Sequence, residues 1–360
     1  MNIKMNNDIE SYALDKMKKS YHTMFMIEKV RKHCLLFFTL LLLGLVSCGG
    51  SDDEVEDSID KFPPLEKPTA TTALSFENAP VTDGSDSTEP LRTLLMCRLL
   101  GIDCKWMEDL AYTLTWRIFP DYSSLSSEQR SMLSKKLLNW NTHQSFMDCI
   151  DGRNDIIITA RGISRDESQY AKEKGVELLS RPIAKDAFAF IVNAGNPVTN
   201  LTIEQVKKIY MGEITNWKEV GGDDAPIVSY VRNANSGSQE KMETVVMAGL
   251  TMPDWKELTL YTMISPYIQL ESDPNGICYT PFYYFNSIVR PESVKVISLD
   301  GITPSRKTIK DDTYPYVTEV MCSVRSDMDK SSTAYQLFYN LSTGKHNQVI
   351  DESGYVVYAR

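Results

Sequence analysis

The chain has 360 residues, with 48 Asp and Glu against 38 Lys and Arg, for a net charge of −10. That acidic balance excludes a protein whose binding rests on neutralising nucleic-acid phosphates, so no nucleic-acid partner is expected. Four histidines and seven cysteines, none in a C-x-x-C pair, supply no ligand set of the zinc type. Neither a metal nor a cofactor is expected.

Residues 1–47 read as a secretory signal. "MIEKVRKHCLLFFTLLLLGLVSCGG" places Lys29, Arg31 and Lys32 ahead of an apolar run from Cys34 to Val46, then small residues. The run is shorter than the roughly 20 residues a membrane-spanning helix needs. A start at Met24 or Met26 gives a signal of ordinary length. Leu45-Val46-Ser47-Cys48 resembles the lipobox of bacterial lipoproteins, which implies that Cys48 is lipidated and becomes the first mature residue. Seven basic and four acidic residues leave with the signal, so the remainder carries −13, and any anion site must be built locally against that field. Residues 48–74, acidic and then rich in Pro and Thr, read as a flexible tether with too little apolar content to fold. Their acidic start also resembles the sorting signal of surface-exported lipoproteins. The expected location is the cell envelope, with the protein lipid-anchored on the periplasmic or cell-surface side of a bacterial membrane.

From about residue 75, apolar strand-like runs alternate with helical patterns. "NDIIITA" (154–160), "AFAFIVN" (187–193), "APIVSYV" (225–231), "VKVISL" (294–299) and "YVTEVMCSVR" (316–325) predict strands. "SSEQRSMLSKKLLNW", "TIEQVKKIYMG" and "SSTAYQLFYNLSTG" predict helices, and Thr202 with Gln205 predicts a capping box. Buried strands alternating with helices point to an α/β fold with mostly parallel sheets. Trp106 and Trp116 are expected in the core, as is the aromatic group "CYTPFYYF" (278–285). Of Cys97, Cys104, Cys149, Cys278 and Cys322, only Cys97 and Cys104 suggest a bridge.

In such folds ligands gather where strand ends meet helix starts. "VTDGSDSTEPLRTLLMCRLL" carries Ser85, Thr88 and Glu89 ahead of Pro90. "NDIIITARGISRDE" ends its strand at Arg161. "PIVSYVRNANSGSQEKMETVV" carries Arg232 and then Ser236, Gly237 and Ser238. "NWNTHQSFMDCI" places Thr142 at a helix N-cap. Each segment alone is an ordinary cap. Together, with arginines, they suggest an oxyanion pocket.

"NPVTNLTIEQVKKIYMGEITNWKEVGGDDAPIVSYVRNANSGSQEKM" resembles the central segment of phosphate ABC transporter substrate-binding proteins. It has the order N-P-V..L-T, a helix, G-x-I-T-N-W..G-G, a strand, then R and S-G-S. "DGSDSTEPL", "NDIIITARG", "VKVISLDGITPSRKTI", "TYPYVTEV" and "GKHNQVIDESGYV" follow the same family order, so the resemblance covers about residues 80–360. It implies a two-lobed type II periplasmic-binding-protein fold. Lobe one would be 75–186 plus 316–360, lobe two 187–315, and "DAFAFIVN" and "YPYVTEVMCSVR" the crossing segments. It implies inorganic phosphate as ligand, an ABC permease as partner, a monomer and no catalysis. Ser85, Thr88, the Glu89 amide, Thr142 and Arg161 would bind from lobe one. Arg232, Ser236, Gly237 and Ser238 would bind from lobe two.

Two departures stand out. Many phosphate-specific members carry an aspartate, which accepts the proton of hydrogen phosphate, where this chain has Arg161. Glu89 also replaces an aromatic or neutral residue. The alternatives are the same fold with another oxyanion or a small organic ligand, and a surface or sensory protein without transport. A hydrolase using Ser236 or Ser238 lacks a base: only His143 and His346 remain after the signal, and there is no G-x-S-x-G elbow.

Overall fold

The computed structural model describes residues 62, 64–109 and 115–359. The signal, Cys48 and most of the tether lie outside the described residues. Strands are β1 Thr82–Gly84, β2 Cys104–Asp109, β3 Thr115–Pro120, β4 Ile156–Thr159, β5 Leu178–Asn193, β6 Asn200–Leu201, β7 Val228–Ser229, β8 Val231–Arg232, β9 Thr259–Leu260, β10 Gly276–Pro281, β11 Val294–Val296, β12 Ser298–Leu299, β13 Val317–Arg325 and β14 Val356–Val357. Helices are α1 Glu89–Leu100, α2 Ser127–Lys136, α3 Thr142–Ile150, α4 Arg165–Lys174, α5 Ile203–Met211, α6 Gly237–Lys241, α7 Ser265–Ser272, α8 Arg306–Lys310, α9 Thr333–Ser342 and α10 Asn347–Glu352. Among the described residues no helix is long and apolar enough to cross a membrane.

The fold is α/β around a mixed sheet ordered β1-β4-β13-β5-β10-β7, with β11 and β14 also on β5. Parallel pairs join β1 to β4 and β10 to β7, whereas β5 runs antiparallel to β10, β11, β13 and β14. The long β5 gives the sheet its mixed character. Its first part pairs with β13, from Leu178↔Arg325 to Ala187↔Val317. Its second part pairs with β10, from Phe188↔Pro281 to Val192↔Ile277. Between Val320↔Ala184 and Met321↔Pro182 the register slips, leaving Ile183 of β5 as the bulged residue next to Pro182, which has no N–H to give the ladder.

The period-2 alternation of strands sorts side chains into two cores. Phe190 and Val192, with Ile277 and Tyr279, face one, and Ile191 and Cys278 face the other. Each fully buried Phe or Ile contributes about 1.5–3 kcal/mol. The predicted capping box holds: Thr202 accepts from the Gln205 amide, Gln205 reaches back, and Gly212 ends α5 in the left-handed region.

Several expectations are corrected. "APIVSYV" splits into β7 and β8, which belong to different sheets. Residues 66–72 of the tether lie along α9: Tyr335 donates to the Glu66 carbonyl at 2.8 Å and Thr72 N–H to Gln336 at 2.8 Å. Leu65 supplies an apolar contact the tether's composition hides. Trp106 and Trp116 are partly buried rather than enclosed, Trp106 lying against the edge of the core that holds Ile191 and Cys278. They flank the Arg290 guanidinium, at 5.4 and 4.5 Å from the ring centroids, and so tie the β2–β3 hairpin to the segment after β10. All five cysteines after the signal that were weighed for bridging are free, Cys97 and Cys104 included.

Candidate functional site

The first half of the site is built where β1 and β4 end side by side. Gly84 is required there, since a Cβ would lie 1.8 Å from the Ile158 carbonyl oxygen. The chain then turns at Ser85, whose buried Oγ accepts from the Ala160 amide at 2.9 Å and meets Thr142 Oγ1 at 2.7 Å. Thr88 is fully buried, and its hydroxyl donates to the Ile158 carbonyl at 2.6 Å. The Glu89 amide donates to the Asp86 carbonyl within the same turn. Both donors are thus spent on backbone acceptors that fix the turn. The Glu89 carboxylate swings aside to Arg117 of β3, 3.3 Å away. Burial raises its pKa, and Arg117 and Arg92 counter that shift.

Thr142 is the first residue of α3 rather than its cap. Asn141 is the N-cap, because its side chain accepts from the Gln144 amide at 2.9 Å. That arrangement frees the Thr142 hydroxyl to face Ser85.

Arg161 follows β4 and is 7 % exposed. Its two terminal nitrogens grip Glu167 as a fork, each at 2.8 Å. Among the described residues its Nε–H meets no acceptor. Burial raises the Glu167 pKa, but the Arg161 and His143 hydrogen bonds outweigh it and hold the carboxyl at about 2. The hydrogen bond to Glu167 in turn raises the His143 pKa. His143, Asp166 and Glu167 lie close enough to share a cation, but the guanidinium gripping Glu167 opposes one.

The second half comes from the β8–α6 segment. The Ser236 side chain caps α6, accepting from the Ser238 amide at 3.3 Å. Gly237 presses against the first half: a Cβ there would lie 2.9 Å from Thr142 Oγ1 and 3.8 Å from Arg161 Nε. Arg232 is 5 % exposed and donates to the Leu260 carbonyl at 3.0 Å. Its Nη1 lies 3.2 Å from Met263 Sδ, a weak acceptor that Ser238 Oγ also approaches at 3.9 Å. Burial pushes the Arg232 pKa down, and Tyr279 and Asp86 are among the groups that counter it. Tyr279 OH accepts from the Arg232 amide at 2.9 Å, and Tyr283 OH donates to the Ser353 carbonyl at 2.7 Å, so both act as packed fillers.

Ser85, Thr142, Arg161 and Gly237 therefore converge. Arg232 and Ser238 share a second locus at Met263. Sequence reasoning missed Glu167, Met263 and Arg117. Only Glu167 had a local signal, the Ser164-x-x-Glu167 capping box. The convergent groups are hydroxyls, an amide-bearing glycine and a guanidinium N–H, with no nucleophile–base pair among them. The arrangement is suited to holding an oxyanion.

Comparison with known proteins shows the family. Residues 135–340, more than half the chain, match the model of the PBP superfamily domain. The chain is 25 % identical over 216 residues to the phosphate-binding protein PstS of Borreliella burgdorferi, covering 56 % of this chain and 71 % of the relative. An ABC-type phosphate transport receptor from Vibrio cholerae superposes with a TM-score of 0.52 at 22 % identity, over 77 % of this chain and 99 % of that one. A phosphate ABC transporter substrate-binding protein with bound phosphate from Clostridium perfringens gives a TM-score of 0.53 at 19 % identity, over 78 % and 99 %.

Proposed function

Because the chain belongs to the PBP superfamily, we propose that it is a solute-binding protein that captures inorganic phosphate between two lobes and delivers it to an ABC importer. In this reading the lobes are 75–186 with 316–360 and 187–315, joined through β5 and β13. The observation that carries it is the meeting of Ser85, Thr142 and Arg161 with Gly237, around an Arg161 Nε–H that no acceptor among the described residues answers. The relatives named for phosphate support the same ligand.

The proposed mechanism is binding without covalent chemistry. The anion takes hydrogen bonds from the one hydroxyl hydrogen that the Ser85–Thr142 pair leaves free, from the Ser238 hydroxyl, from the Gly237 amide, and from Arg161 Nε. Arg232 turns from the Met263 thioether to the stronger anionic acceptor. Thr88 and Glu89 hold the shape of the turn, and Ser236 holds the Gly237–Ser238 amides. Closure excludes water and strengthens each bond. The protein acts as a monomer, anchored through lipidated Cys48 at the envelope.

Thermal unfolding of anion-free protein, with and without phosphate or sulfate, tests the reading. A ligand at a hundredfold excess over its Kd stabilises the fold by about 2.7 kcal/mol. A shift with phosphate that Arg232→Ala abolishes supports the proposal. Equal shifts with sulfate favour a general oxyanion binder, a reading that Arg161 motivates by standing where a proton acceptor is expected. No shift with either anion refutes both.

A further inference from the structure

Lys241 is the last residue of α6, three positions beyond Ser238, and is 3 % exposed. Its ammonium donates to Thr318 Oγ1 of β13 at 2.9 Å. Thr318 pairs directly across the ladder with Asp186 of β5, at the point where β5 leaves β13 and takes up β10. Asp186 is 1 % exposed. Its Oδ1 accepts from the Ala187 and Tyr283 amides at 2.7 and 2.9 Å, and Oδ2 has no hydrogen-bond partner among the described residues. The helix α6, which opens with Gly237 and Ser238, is thus fastened by a buried cation to β13, and that cation lies in the field of Asp186 on β5. A buried ammonium is costly unless something uses its charge.

We propose that Lys241 is a positioning residue of the anion site, tying the Gly237–Ser238 turn that opens α6 to β13 and adding a positive charge beneath the bound anion. The inference rests on the proposed anion-binding function and deepens it. The groups acting on Lys241 are Asp186 from β5, Thr318 from β13 and Arg161 from the loop after β4, with Glu240 beside it on α6. Burial lowers its pKa to about 8, with Arg161 adding to that effect and Asp186 opposing it. An anion favours the protonated lysine. Affinity is therefore fully expressed below about pH 8 and falls as pH rises through that value.

The test is calorimetric titration of phosphate into the wild type, Lys241→Arg and Lys241→Met at pH 7 and pH 9.5. Phosphate's own titration acts equally on all three, so ratios isolate the lysine. At pH 7, Lys241→Met should bind about tenfold more weakly than the wild type. Between the two pH values the wild type should lose about tenfold more affinity than Lys241→Arg, whose charge does not titrate. Parallel pH courses, or wild-type affinity in Lys241→Met, overturn the inference. Should a Lys241 variant fail to fold, Thr318→Val removes only the acceptor: about threefold weaker binding supports the inference and unchanged binding overturns it. If the wild type binds no phosphate, the proposed function fails, and hydrogen exchange of the 236–241 amides in anion-free protein decides the tether. Greater loss of protection at pH 9.5 in the wild type than in Lys241→Arg upholds the tether, and equal change refutes it.

Discussion

Glu167→Gln should lower stability without lowering anion affinity. Glu167 is fully buried, forked by Arg161 at 2.8 Å on both oxygens, and also accepts from the Ser164 amide at 2.8 Å. Its folded pKa is about 2, against an ordinary 4.5. A difference of about 2.5 units, at 1.36 kcal/mol each, is worth about 3 kcal/mol, which agrees with the 3–5 kcal/mol typical of breaking one side of a buried ion pair. Because the folded pKa is depressed, this stability is fully present above the unfolded pKa and is lost as pH falls from about 5 to about 2. Urea unfolding should therefore show Glu167→Gln about 3 kcal/mol less stable at pH 7, the gap narrowing progressively toward pH 2. The substitution also leaves Arg161 without its countercharge beside Thr142 and Gly237, so phosphate affinity of the folded variant should hold or rise. A loss under 1 kcal/mol at pH 7, or a gap that does not narrow in acid, would refute the reasoning. Affinity falling tenfold in a folded variant would show that Glu167 serves the anion by holding Arg161 in its binding orientation.

Three further outcomes follow from close contacts. Gly237→Ala puts a methyl 2.9 Å from Thr142 Oγ1, so phosphate should bind at least tenfold more weakly by calorimetry, with the unfolding midpoint in urea little changed. Gly84→Ala drives a methyl into the Ile158 carbonyl at 1.8 Å and should cost more than about 3 kcal/mol or abolish soluble expression, since the β1–β4 pair must part. Arg117→Ala strips Glu89 of its partner at 3.3 Å and leaves a carboxylate facing the anion turn. Phosphate affinity should fall about threefold to tenfold, and the double variant with Glu89→Gln should restore it.

The α/β alternation was legible because it rests on local rules. "NDIIITA" reads as a buried strand, and Thr202 with Gln205 as a helix start, from neighbouring residues alone. The strand-to-helix junctions bearing Ser85, Arg161 and Gly237 were legible for the same reason: small and polar residues follow apolar runs. Their partners were not. Nothing local pairs Arg161 with Glu167, turns Arg232 toward Met263 or sends Lys241 to Thr318, 77 positions away. Thr88 and Glu89 looked like ligand donors, and only packing showed their hydrogens spent on the turn itself. Caps and periodicities are fixed within a few residues by backbone hydrogen bonding. Which buried charge meets which carboxylate is fixed by the cost of leaving a charge unpaired in the interior, and that cost exists only once distant segments have packed.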